Sequence, residues 1–71
     1  MDTSVLIQKA TAKHREFVVG IYRDRKGIIV RKSEVLAGIK VPLNETYVLE
    51  IKAAVWLMNF WVSELHGYDV N

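Results

Sequence analysis

Two carboxylates stand where a hydrolytic site would want them. Asp2 heads a β-branched stretch and is followed by Thr3 and Ser4; Glu50 lies among Val48, Leu49, Ile51, Ala53 and Ala54. A charge in so apolar a neighbourhood calls for a reason. One reason is divalent-metal chemistry. Magnesium takes hard oxygen ligands and keeps several of its waters, and two such ions clamp the attacking and leaving oxygens of a phosphodiester. The other reason is plainer: Glu50 faces the wet side of a helix with Lys52 beside it. Spacing alone leaves both open. Other chemistries are struck off by the sequence. There is no cysteine, which removes disulfides, thiolate nucleophiles and zinc–thiolate sites. His14 and His66 are too far apart in the chain to form a compact metal motif, and the four glycines (20, 27, 38, 67) are isolated, so no phosphate-cradling glycine loop exists. Ser4, Ser33 and Ser63 have no His–acid partners at a telling spacing.

These carboxylates need elements to hold them. Residues 3–7 read as a strand, and residues 8–16 as a polar, mobile connection. Residues 17–23 alternate, with Phe17, Val19 and Ile21 on one side and Val18, Gly20 and Tyr22 on the other, which is the period of a strand. Asp24-Arg25-Lys26-Gly27 supplies a turn, and residues 28–36 return, so 17–36 is predicted to be a β-hairpin. Gly38 and Pro42 mark residues 37–43 as a connection. Asn44-Glu45-Thr46 matches a glycosylation acceptor, but Asn44 is read as the cap of a helix over residues 45–66, with Gly67 as its stop. Val48, Ile51, Val55, Met58, Val62 and Leu65 form one apolar stripe of that helix, and Leu49, Ala53, Trp56 and Phe60 a second beside it. A surface helix needs one stripe, so this one is built to be covered on more than one side. Residues 68–71 resemble the start of a further strand. The expectation is an α+β fold: a three-stranded, mainly antiparallel sheet ordered hairpin-return, hairpin-first, N-terminal strand, with one long helix on it.

The chain has 71 residues, half of them apolar and a quarter charged, which fits one small globular domain. Net charge is +2, unevenly spread: nine of the ten Lys and Arg precede residue 41, facing four acids, whereas Lys52 alone faces four acids beyond it. The basic half suits a phosphate-bearing partner or simply an edge protected by lysines. Residues 1–13 lack the apolar block of a leader. The longest uncharged apolar-rich run, residues 53–63, falls short of the roughly 20 residues a bilayer needs. No membrane partner is expected, and the lack of cysteine fits an intracellular, reducing compartment.

Taken in order, Met1-Asp2-Thr3-Ser4, then Val19 to Ile29 with its Gly20-Ile21-Tyr22-Arg23-Asp24-Arg25-Lys26-Gly27 hairpin, then Tyr47-Val48-Leu49-Glu50-Ile51-Lys52-Ala53-Ala54, resemble the RNase H-like domain, in its plant and retrotransposon reverse-transcriptase branch. The resemblance implies hydrolysis of the RNA strand of RNA–DNA hybrids with Mg²⁺ or Mn²⁺, with Asp2 and Glu50 as catalytic metal ligands. The family's third and fourth carboxylates have no counterpart here, so the resemblance implies a partial, truncated domain covering residues 1–71, inactive by itself. Two other functions fit the residues. One is a non-catalytic interaction module that self-associates through the apolar helix, and the other is a basic nucleic-acid binder.

Overall fold

A computed structural model describes residues 3–70 and shows four antiparallel strands followed by one helix: β1 (Thr3–Ala12), β2 (Arg15–Asp24), β3 (Gly27–Leu36), β4 (Ile39–Val48) and α1 (Ile51–Val70). The strands form a single sheet in the order β1-β2-β3-β4, each paired with its neighbour in sequence. The α+β class agrees with the sequence reading. The three-stranded sheet does not, and the truncated RNase H-like architecture expected on that basis is corrected with it.

The extra strand comes from residues assigned to a connection and to the first turns of the helix. Asn44, Glu45, Thr46, Tyr47 and Val48 pair with Lys32, Arg31, Val30, Ile29 and Ile28 across the β3–β4 ladder. Thr, Tyr and Val suit a pleated surface better than a helix. Pro42 does not break the strand, because β4 is an edge and its outer side has no ladder to lose. Asn44 is therefore a strand residue and caps nothing. The helix begins six residues later than expected, at Ile51, where the Ala54 amide donates to the Glu50 carbonyl at 3.1 Å. It also runs past Gly67 to Val70, so residues 68–70 continue the helix and start no strand. Residues 8–12, read as mobile, complete β1.

Three two-residue turns close the meander. At 25–26 the Asp24 carboxylate accepts from the Lys26 and Gly27 amides at 2.8 and 3.1 Å, and Gly27 follows with a φ of 132°. At 13–14 and 37–38 both central residues take positive φ: 49° and 68° at Lys13 and His14, 52° and 78° at Ala37 and Gly38. Such turns match the right-handed twist of the strands they join. Lys13-His14 lacks glycine and asparagine, so its turn carries no sequence signal.

The core lies between α1 and one face of the sheet. Val19, Ile21, Val30, Ala54 and Met58 are fully buried there, with Ala10, Ala12, Phe17, Trp61 and Leu65 around them. Alanine at 10, 12 and 54 removes bulk where helix and sheet meet, so the larger Met58 and Trp61 can seat on the strands. The buried line 54, 58, 61, 65 takes Met58 and Leu65 from the expected first stripe but leaves Val55 and Val62 only half-buried, and Trp56 and Phe60 of the second stripe face solvent. Every residue of β4 is exposed except the half-buried Val48.

Ala37 is a residue with a Cβ held in the left-handed region, which costs roughly 1–2 kcal/mol. Ala37→Asn completes an Asn-Gly turn, and we expect it to raise stability by about 0.5–1 kcal/mol. In urea the unfolding midpoint moves up at unchanged slope; a lower midpoint would contradict the turn geometry.

Candidate functional site

The helix covers one face of the sheet, and the other is open. Period-two alternation puts Ser4, Ile7, Lys9 and Thr11 of β1, Glu16, Val18, Gly20 and Tyr22 of β2, Ile29, Arg31, Ser33 and Val35 of β3, and Lys40, Pro42, Glu45 and Tyr47 of β4 on that open side. The face is concave. Each edge strand carries a bulge, at Val5 in β1 and at Leu43 in β4, where the pairing skips a residue, and bulges add bend and twist. One depression is consequently lined by residues of all four strands: Ser4, Ile7, Tyr22, Arg31, Ser33 and Pro42, together with Lys40. A second, continuous with it through Lys40, is lined by Lys9, Thr11, Glu16, Val18 and Val35. Together they make a trough across the sheet. Val18, Ile29 and Ser33 form its buried floor, and Lys9 and Lys40 stand on opposite edge strands.

Its walls are aromatic and cationic. The Tyr22 ring leans back over Gly20, where any Cβ would collide with it at 2.4–2.5 Å, so only glycine gives the ring this seat. The Arg31 guanidinium lies 5.1 Å from the centre of the same ring and donates to Glu45 at 3.1 Å. At the far end the half-exposed Tyr47 donates its hydroxyl proton to Asp24 at 2.5 Å. That bond, helped by the Lys26 and Gly27 amides and the Lys26 charge, holds the Asp24 carboxyl below its ordinary value. Lys9 and Lys40 form no ion pair among the described residues.

The structure describes one of the two carboxylates singled out in the sequence. Asp2 lies outside the described residues. Glu50 sits exposed in the bend that precedes α1, and its carbonyl, rather than its carboxylate, makes the helix contact. Among the described residues no three His, Asp or Glu side chains converge on a point that could hold a metal ion. Among the described residues Glu50 offers Mg²⁺ or Mn²⁺ one exposed carboxylate. No helix among the described residues is long and apolar enough to cross a membrane.

No family model matches the chain, and no curated protein or solved structure matches it. The reading of the site therefore rests on its own geometry. Sequence reasoning noted the basic half but missed Lys9, Tyr22, Arg31, Ser33, Lys40 and Tyr47 as one surface. The signal was available as alternation in Lys9/Thr11, Gly20/Tyr22, Ile29/Arg31/Ser33 and Lys40/Pro42, once all four segments are strands.

On the helix side, Arg15 and Glu34 make a two-pronged pair, Nε and one terminal nitrogen each donating to a carboxylate oxygen at 2.7 Å. Arg15 also lies over the Phe17 ring, 5.1 Å from its centre. The Arg15 hydrogen bonds lower the Glu34 carboxyl below its ordinary 4.5, against a smaller opposing effect of burial. A carboxylate lowered by folding stabilises the fold above its unfolded value, and that contribution is lost as pH falls through the folded one. Stability should thus begin to fall as pH drops past 4.5. Glu34→Gln should be less stable at neutral pH and lose less on acidification. Parallel pH–stability curves for the two proteins would refute the assignment.

Proposed function

We propose that the chain binds single-stranded nucleic acid along the open trough and performs no chemistry on it. The observation that carries this reading is the pairing, in one concave surface, of Lys9 and Lys40 without ion-pair partners among the described residues and of Tyr22 stacked with Arg31. A lysine with no carboxylate beside it can take the place of a phosphate's counterions. Aromatic rings and the flat guanidinium plane give bases a surface to stack on, whichever base it is. A duplex keeps those base faces to itself, so stacking favours an unpaired strand. Hydroxyls at Ser4 and Thr11 add donors for sugar and phosphate oxygens. The three acids of this side do not cancel this: Glu45 is engaged by Arg31 and Asp24, at the far end, by Tyr47 and the Lys26 and Gly27 amides, leaving Glu16 against Lys9 and Lys40.

Hydrolysis of RNA–DNA hybrids, which the family resemblance implies, draws no comparable support. It would need carboxylates gathered around a metal, and Glu50 stands exposed with no such gathering around it among the described residues.

Fluorescence anisotropy with a labelled oligothymidine tests the proposal. Saturable binding is expected, with log affinity falling against log salt at a slope of about −1.4 for two phosphates neutralised by Lys9 and Lys40. Lys9→Ala with Lys40→Ala should weaken binding about tenfold and take most of that salt dependence away. Tyr22→Ala should cost about 1–3 kcal/mol of affinity, the usual worth of one stacked base. Binding indifferent to salt and to both lysines would dismiss the trough. A labelled RNA–DNA hybrid with Mg²⁺ should stay intact; cleavage that disappears in Asp2→Asn and Glu50→Gln would instead restore the hydrolytic reading.

A further inference from the structure

The face of α1 turned away from the sheet carries two large aromatic side chains among its polar residues. Trp56 is 67% exposed and Phe60 47%, and the two rings are stacked in parallel, 5.5 Å between centres. Beside the helix, β4 is left uncovered. Ile39 and Val41 lie on its helix side by alternation, and the bulged Leu43 lines a depression there with Glu64 and Leu65; all three are substantially exposed. From their exposed fractions, Trp56 and Phe60 together present roughly 250 Å² of apolar surface outward from the helix, and Ile39, Val41 and Leu43 roughly 250 Å² on the sheet beside it, separate areas that together approach the apolar share of the ~800 Å² each partner gives to a stable interface.

We infer that the occupant of this surface is a second copy of the chain, its α1 lying antiparallel across the first. The spacing along the helix carries the orientation. Trp56 and Phe60 stand two residues either side of Met58, and Lys52 and Glu64 stand six residues either side of it. An antiparallel two-fold through the level of Met58 therefore sets the Trp56 of each copy level with the Phe60 of the other, and each Lys52 level with a Glu64. A parallel pairing would set like charges level with one another. A two-fold contact needs one patch that complements itself, and this patch does so in both shape and charge. The inference is independent of the nucleic-acid reading, since the trough lies on the opposite side of the sheet and the test contains no nucleic acid.

Sedimentation equilibrium of the full chain, from micromolar to submillimolar concentration, decides the matter. The expected mass is twice the 8.2 kDa of one chain. Trp56→Lys should return the chain to a single-copy mass with its circular dichroism unchanged, because Trp56 contributes little to the core. If that variant fails to fold, Phe60→Lys provides the same reading. Single-copy mass at every concentration, assemblies larger than two, or a dimer that persists in a folded lysine variant would each overturn the inference.

Discussion

A four-stranded sheet has two faces, and this chain has one helix to cover them. The packing of α1 on β1, β2 and β3 is thus the contact on which the rest depends. Met58 and Ala54 meet Val19, Ile21 and Val30 with no exposed area left at any of the five. Burying a side chain such as Ile, Val or Met is worth about 1.5–3 kcal/mol, so these few residues dominate a small core. Ala10 and Ala12 allow the helix to come close. Lys32, 5.8 Å over the Trp61 ring, and Arg15 over Phe17 then roof the margins of the core with cations.

Leaving the second face open imposes its own chemistry. Its floor must be small or half-apolar to hold the strands together, hence Val18, Gly20, Ile29 and Ser33. Its walls must tolerate water, hence hydroxyls, lysines and tyrosines. The same division separates the electrostatics. The bidentate Arg15–Glu34 pair belongs to the helix side, whereas Arg31–Glu45 and Tyr47–Asp24 belong to the open side. The latter two tie β3 to β4 and β4 to the β2–β3 turn, which braces the edge strand that the helix touches least.

The central hairpin was legible because two independent signals coincide there: alternation from Phe17 to Tyr22 and an Asp-x-x-Gly turn. The α+β class followed from it. β1 beyond Ile7 was not legible, because Lys13-His14 turns the chain without a turn residue and Lys9 and Thr11 look like loop. β4 was hidden by Pro42 and by Asn44-Glu45, which mimic a break and a cap but sit on an edge where neither effect operates. The helix face was undecidable from periodicity, since apolar residues surround α1 and any of several lines could have been the buried one. Glu50 looked remarkable only while it was placed inside that helix. It stands exposed at the mouth of the helix, preceding the first turn, and Asp2 lies outside the described residues.

Every strand of the sheet pairs with the strand next to it in the chain, through turns of two residues. No strand has to wait for a distant partner, so the order of assembly can follow the order of synthesis: each hairpin closes over a short loop before the next begins. The helix comes last. Until it docks, the apolar side of Val19, Ile21 and Val30 is bare, and that interval is when the nascent sheet is most prone to aggregate. The lysines and the proline along its edge strands matter most at that moment, as brakes on pairing with another unfinished sheet.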